Sequence, residues 1–221
     1  IDKRKEQIVK LDELIQSTFI NMFGDPSENP RNWRTIELGN IAESFIGLTY
    51  KPEEVSETGV IVLRSGNIQA NNLDFKDIIR VNKVIKEKLK VQHGDILMCS
   101  RNGSKRLVGK NALIQEIDEE MTFGAFMTII RSKYNLYLLV FFRTEAFRNQ
   151  LFCSETTTIN QITKSMLDKI VVPLPPIEMQ NQFAIITKKI WLQQELLKRS
   201  LHELQNNFNS IMQRAFKGEL F

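Results

Sequence analysis

Residues 100 to 111 hold the densest cluster of groups able to bind an anion. Arg101, Asn102, Ser104, Lys105, Arg106 and Lys110 stand there with Gly103 and Gly109 among them. Guanidinium and ammonium groups on a glycine-bearing loop can close on phosphates, and Asn and Ser can bond to phosphates or to base edges. The alternative is a solvated hairpin tip that touches nothing. A second run, Thr156, Thr157, Thr158, Ile159, Asn160, Gln161 and Lys164, offers hydroxyls, side-chain amides and a lysine. It could set a helix end on a phosphate or pair with an adenine edge. Equally, it could be an ordinary helix cap by a threonine or by Asn160. Arg64, Ser65, Gly66 and Asn67 follow a strand candidate and read as a turn that could also present polar groups. Thr49, Tyr50 and Lys51, after Gly47, form a fourth and weaker loop; Tyr50 could stack there or be half-buried.

Other chemistry has little support. His93 and His202 are far apart, and neither has neighbours at zinc-ligand spacing. No phosphate-binding loop of the Walker kind occurs. Asp74-Phe75-Lys76 carries the acid-x-lysine piece of metal-dependent nucleases, but alone it reads as a surface turn. Pro173-Leu174-Pro175-Pro176 lacks the amide and the aromatic of a methyltransferase motif. Phe123, Phe126, Phe141, Phe142 and Phe147 read as filling the sheet–helix interface rather than as rings that stack bases. Cys99 and Cys153 each sit in an apolar run, which reads as a reduced pair. The net charge of +4 and pI near 9.0 are compatible with nucleic acid; where the charge sits decides more than its sum.

These loops need a frame. Residues 2 to 23 read as an amphipathic helix with the seam Ile8, Leu11, Ile15 and Phe19. Gly24 and Pro26 then stop it. From Trp33 to Val172 short apolar runs alternate with turns. Residues 60–63, 96–99, 111–117, 127–130 and 170–172 are strand candidates. Residues 135–150 and 164–168 read as helices. The middle is therefore α+β, one mixed globular domain. Pro173 to Pro176 form a stiff elbow. Beyond it, 177–216 is one long helix, roughly 60 Å at 1.5 Å per residue. Its seam is Phe183, Ile186, Ile190, Leu197, Leu201, Leu204, Phe208, Ile211 and Ala215, with Gln193 in a slot that should be apolar. Trp191, beside the seam, could anchor a partner or pack on the domain. The N-terminal seam ending in Phe23-Gly24-Asp25 is echoed by Leu201, Leu204, Phe208 and Met212 ending in Phe216-Lys217-Gly218-Glu219. Two like helices around a different middle suggest a frame that carries a cargo domain. The expected division is 1–24, 25–175 and 176–221, with the terminal helices forming a coiled-coil-like pair. Ile1 is not an initiator, so the chain is read as a piece of a longer one. No stretch approaches the length that spans a bilayer.

Asn29-Pro30-x-x-Trp33, Leu38-Gly39-x-Ile41, Gly66-Asn67-Ile68, Gly94-Asp95-Ile96-Leu97, Val108-Gly109-Lys110, the elbow from Val172 to Ile177 with Glu178 and Gln180, and Ala215-Phe216-x-Gly218-Glu219-Leu220 form a succession. It resembles the DNA-specificity subunit of type I restriction-modification systems over nearly the whole chain. Met179 departs from the pattern, since the family often places Glu directly before Gln. The resemblance implies one target recognition domain and its flanking helices, as in the C-terminal half of such a subunit or a half-length form. It implies double-stranded DNA as ligand, with methyltransferase and restriction subunits as partners. No cofactor is expected in this chain; S-adenosylmethionine would sit in the methyltransferase subunits. Self-association through the helices and a cytoplasmic location are also expected. The rival readings are a protein-interaction scaffold, or a stand-alone nuclease or methyltransferase with a degenerate motif.

Overall fold

The computed structural model describes residues 1–152 and 160–218. Cys153, the threonines at 156 to 158, and Glu219 and Leu220 lie outside the described residues. The chain divides into two compact units, residues 1–24 with 176–221, and residues 25–175.

In the first unit α1 (Asp2–Phe23) pairs with α5 (Ile177–Phe216). Phe183 meets Phe19 and Phe23 edge-on, with ring centroids 5.6 and 5.4 Å away. Farther along, Gln194 Nε2 donates to Asp12 Oδ1 at 2.8 Å and to the Ile8 carbonyl at 3.4 Å. The numbering rises on one helix as it falls on the other, so the pair is antiparallel. Helix α1 ends at Gly24, whose φ of 82° lies in the left-handed region that glycine adopts without strain.

The seam of α5 differs from its expected line. Its buried residues are Gln180, Phe183, Thr187, Ile190, Gln194 and Leu197. Phe183, Ile190 and Leu197 recur every seven residues, and so do Gln180, Thr187 and Gln194. Apolar and polar layers thus alternate along one stripe. Ile186 is 38% exposed because Thr187 takes its slot, and at the next expected polar slot Gln194 is buried rather than Gln193. Of the expected seam, Ile15 and Phe19 are buried in α1, while Ile8, Leu11 and Leu201 are half-buried. Leu204 and Phe208 are exposed. With 22 residues in α1 against 40 in α5, a pairing that sets Phe23 by Phe183 leaves the last turns of α5 uncovered.

The second unit carries the sheets: β1 (Thr35–Glu37), β2 (Glu43–Ile46), β3 (Val55–Ser56), β4 (Val60–Leu63), β5 (Ile68–Gln69), β6 (Asn72–Leu73), β7 (Ile79–Val81), β8 (Ile96–Cys99), β9 (Asn111–Leu113), β10 (Met121–Phe123), β11 (Met127–Arg131) and β12 (Val171–Pro173). One four-stranded sheet runs β2-β11-β8-β9, antiparallel throughout. Another runs β10-β4-β7-β3, in which β10 and β4 are parallel. Two-stranded pairs β1-β12 and β5-β6 complete it. The strand expected over 111–117 is shorter, ending at Leu113. The helix expected over 135–150 is divided into α2 (Asn135–Phe141) and α3 (Glu145–Phe152). There the Thr144 hydroxyl donates to the Phe141 carbonyl at 2.7 Å, a local bond that competes with helix continuation.

Both four-stranded sheets contribute to one core. Ile61 and Leu63 of β4, Leu97 and Cys99 of β8, Phe123 of β10 and Ile129 of β11 are buried in a single cluster. Each such side chain contributes about 1.5–3 kcal/mol on burial. Phe141, Phe142 and Phe147 are buried too, as the aromatic run suggested. Phe126 departs from that expectation: it is 58% exposed.

Candidate nucleic-acid interface

The basic loop hangs from β8. The turn Gly94-Asp95 leads into that strand; Gly94 has φ +85° and an added Cβ would lie 2.6 Å from the Asn135 amide. Asp95 closes the turn by accepting the Gln92 N–H at 2.8 Å. β8 is apolar and wholly buried, so its end is held rigidly. The chain then emerges at Ser100.

From there hydrogen bonds tie the expected loops to one another. The Phe126 carbonyl accepts the N–H groups of Ser100 and Arg101 at 2.9 and 3.1 Å and the Ser100 hydroxyl at 3.0 Å. Ser100 in turn accepts the Ile162 N–H at 2.7 Å. The Asn160 carbonyl accepts the Asn102 N–H at 3.3 Å, and the Asn160 amide donates to the Gly103 carbonyl at 2.9 Å. Leu48 N–H donates to the Phe123 carbonyl, and Gly124 N–H to the Leu63 carbonyl. Lys110 Nζ reaches the Ser65 carbonyl at 3.5 Å. Residues 48–51, 64–67, 100–110, 124–126 and 160–161 thus form one loop cluster.

The cations in it are of two kinds. Arg64 is committed, its Nη2 donating to Asp77 Oδ2 at 2.9 Å. Lys164 is divided between Ser44 Oγ and Asp168 Oδ1, both at 3.2 Å. Among the described residues Arg101, Lys105 and Arg106 form no ion pair, and all three are exposed. Arg101 lies over the Phe126 ring at 5.5 Å and Lys105 over the Phe152 ring at 4.8 Å. Cation–π contact of this kind orients a charge without neutralising it. Thr49 and Lys51 are exposed, while Tyr50 is half-buried on a cluster of Leu48, Val62, Val81 and Ile85.

Several expected contact residues instead hold the loops in shape. Asn67 is 1% exposed. Its Oδ1 accepts the Arg64 N–H at 2.9 Å, and its amide donates to the carbonyls of Asp74 and Asp77. Every polar atom of that side chain is used, so it cannot reach a base. Asn102 Oδ1 accepts the Ser104 N–H at 2.9 Å, and Asn160 braces Gly103 as described. The helix cap left open in the 156–164 run is Thr163, whose Oγ1 accepts the Met166 N–H of α4 (Lys164–Asp168) at 3.2 Å. Thr157 and Thr158 lie outside the described residues. Ser65, Ser104 and Gln161 remain at the surface or half-buried.

The cluster encloses a cleft of about 460 Å³ that the sequence did not suggest. Its lining includes Leu48, Tyr50, Arg64, Asp77, Phe126 and Met127. Nothing in the run Phe123-Gly124-Ala125-Phe126-Met127 separates Phe126 from its buried neighbours except the small residues before it. Asp74-x-Lys76 is a surface turn, with Asp74 Oδ1 accepting the Lys76 N–H at 2.9 Å. Cys99 is buried as a free thiol at the end of β8, and burial pushes its pKa up. Among the described residues no group of three or more His, Cys, Asp or Glu is placed to hold a metal ion. No described helix is long and apolar enough to cross a membrane.

Residues 30–206 match the family of the type I restriction modification DNA specificity domain. The chain belongs to this family. Among curated relatives, it is 29% identical over 170 residues to the EcoKI specificity subunit of Escherichia coli K12. It is 30% identical over 170 residues to the StySPI specificity subunit of Salmonella potsdam. Each match covers 73% of this chain and 36% of the relative, so the chain spans little more than a third of those specificity subunits. The HsdS subunit from Thermoanaerobacter tengcongensis superposes with a TM-score of 0.59 at 21% identity, over 99% of this chain and 54% of that one. A chain solved in work on complex assembly and conformational transition of the type I R-M system gives 0.62 at 20% identity, over 99% and 55%. These likenesses establish the specificity-subunit fold, a mixed sheet domain flanked by an N-terminal and a long C-terminal helix.

Proposed function

We propose that this chain is the DNA-reading part of a type I specificity subunit, binding a short double-stranded half-site without cleaving or methylating it. Arg101, Lys105, Arg106, Lys51 and Lys110 grip phosphates. Thr49, Tyr50, Ser65, Ser104 and Gln161 face the bases, with Thr157 and Thr158 in the same set. Arg64 and Lys164, each already paired with an aspartate, line the site without adding to the phosphate grip. The α1–α5 pair is the spacer; it docks methyltransferase subunits, which hold S-adenosylmethionine, and a restriction subunit joins them in the cytoplasm. The helices also support self-association.

The observation that carries this reading is the convergence of the loops. Polar segments far apart in sequence meet at one edge of the domain, and three uncommitted cations project there. Counterion release makes such a grip salt-dependent, with a log–log slope of about 0.9 per phosphate contact. Replacing Arg101, Lys105 and Arg106 together by Ala is expected to flatten the slope by about 2.7 if each touches one phosphate. An unchanged slope overturns the phosphate grip and favours a protein-interaction scaffold. Methyl transfer or strand cleavage by the pure chain overturns the non-catalytic reading.

A further inference from the structure

We propose that the cleft beside the basic loop takes a single unstacked nucleobase of the bound DNA, laid against the ring of Phe126. The inference rests on the DNA reading above and goes beyond it, since groove contacts alone would leave every base in its stack.

The first observation is the placement of Phe126. A large aromatic ring 58% exposed gives up hydrophobic stabilisation unless something covers it. Its backbone is not loose: three hydrogen bonds converge on its carbonyl oxygen, from the Ser100 N–H and hydroxyl and from the Arg101 N–H. The ring is therefore held at the rim by a rigid support. Arg101 lies over the ring at 5.5 Å, within reach of the phosphate that a bound nucleotide would carry.

The second is the cleft itself. Its volume of about 460 Å³ falls in the range of small-ligand sites, about 300–1,000 Å³. That is far more room than a methyl group projecting from a base pair needs. Leu48 and Met127 are buried and make an apolar floor. Polar side chains of Thr49, Tyr50 and Ser65 line it too, and its charged pair is the Arg64 guanidinium, a donor, and the Asp77 carboxylate, an acceptor, bonded Nη2 to Oδ2 at 2.9 Å with other N–H groups and lone pairs to spare. Side by side, they match a planar ring edge that carries a carbonyl next to an amine or ring N–H. An apolar face, a donor–acceptor edge and an adjacent cation are together the recognition chemistry of a nucleotide. Arg101 over Phe126 and Lys110 beside Ser65 favour a base that arrives on a polyanion over a neutral or cationic ligand.

The test uses the full 221-residue chain and duplexes enriched from a random pool for binding to it. 2-Aminopurine is placed at each position of the duplex in turn. Binding is expected to raise its fluorescence at one position, and to make a thymine there reactive to permanganate. A mismatch opposite that position removes part of the unpairing cost and should tighten binding by about tenfold or more. Phe126→Leu keeps the apolar bulk and should abolish the fluorescence rise, while Phe126→Tyr restores it. Neither change should alter the salt slope. A bound duplex that stays fully stacked, with no gain from mismatches, overturns the base pocket and leaves the DNA reading intact. If free nucleotide binds the cleft with the same dependence on Phe126 while the duplex stays stacked, the site is a nucleotide site and the proposal fails. If no duplex binds at all, the DNA reading fails and takes the pocket with it.

Discussion

Replacing Asp95 by Ala tests how the site is supported. Asp95 is buried, and its carboxylate accepts Arg131 Nε and Nη2, both at 2.8 Å, together with the Gln92 N–H. The pair is bidentate and charge-assisted, the strongest kind of hydrogen bonding available to these groups. Contact with the carboxylate raises the Arg131 pKa, through the hydrogen bond first and despite partial desolvation. Removing one partner of a buried pair costs about 3–5 kcal/mol. Here the Arg131 side chain is 28% exposed, so water recovers part of its solvation. The Lys90 carbonyl at 3.2 Å and the Phe45 ring at 5.1 Å still hold the guanidinium. The expected loss for Asp95→Ala is therefore about 2–3 kcal/mol. In urea that is a fall in midpoint of roughly 1 M at an unchanged slope. Asp95→Leu combined with Arg131→Met, which leaves no orphaned charge, should recover most of it. A single variant within about 0.5 kcal/mol of the parent, the scale of ordinary surface substitutions, would refute the view that this pair anchors β8 and the loop it carries.

Asn67→Ala leaves two carbonyls and one N–H without their partner; a loss of about 2–3 kcal/mol is expected in denaturant unfolding, with DNA affinity per folded molecule unchanged. An affinity loss at full stability would return Asn67 to the contact set. Gly47→Ala would place a Cβ 2.2 Å from the Gly124 carbonyl oxygen, and since the neighbour is backbone the cost should reach about 3 kcal/mol; a melting temperature equal to the parent's would refute that close approach. Glu54 accepts Lys83 Nζ at 2.8 Å, and this bond, followed by the Lys51 N–H, holds its pKa below 4.5. Because the folded value is depressed, its contribution to stability is present above pH 4.5 and is lost as pH falls through the lowered value. A carboxyl titration by NMR should show the depressed midpoint, and Lys83→Ala should return it toward 4.5; no change on that substitution would refute the cause.

Much of the architecture was legible because it is written in local patterns. The helix over 2–23 has a glycine stop, the long helix follows prolines that cannot be helix interior, and Val60 to Leu63 is a short β-branched run. The misreadings come from where local pattern and tertiary placement part. On α5, hydrophobicity alone chose Ile186, whereas packing chose Thr187 one residue later. The true stripe alternates Phe183, Ile190 and Leu197 with Gln180, Thr187 and Gln194, and polar residues on a seam are invisible to a rule that seeks apolar ones. Such layers lower stability but fix register, and Gln194 shows how, by bonding Asp12 of α1. Phe126 fails in the opposite sense. It is apolar between two apolar strands, yet β10 and β11 belong to different sheets, and the link between them must run over the surface. Asn67 fails because an amide able to read a base is equally able to cap a turn, and only its burial distinguishes the two.

The distribution of charge is the reason the proposal places DNA on these loops and not on another basic segment. A surplus of four positive charges is too small to mark a face. What matters is which cations are already neutralised. In the central unit Arg80 is held by Glu119, Lys83 by Glu54, Lys90 by Glu87 and Glu120, and Arg131 by Asp95. A phosphate approaching any of these meets a carboxylate at the same time, and the two anions compete. Arg101, Lys105 and Arg106 meet aromatic rings or solvent instead, among the described residues, so their field is cancelled by no paired carboxylate and is limited only by distance and salt screening, with a decay length of about 8 Å in physiological salt. It follows that Glu119→Gln, which frees Arg80, should add a new phosphate-binding charge away from the loop cluster. That variant is expected to strengthen non-specific DNA binding and steepen its salt dependence by up to one contact, about 0.9 in slope, without changing which sequence is preferred. A change of sequence preference in Glu119→Gln would mean that the reading surface extends beyond the loops assigned to it.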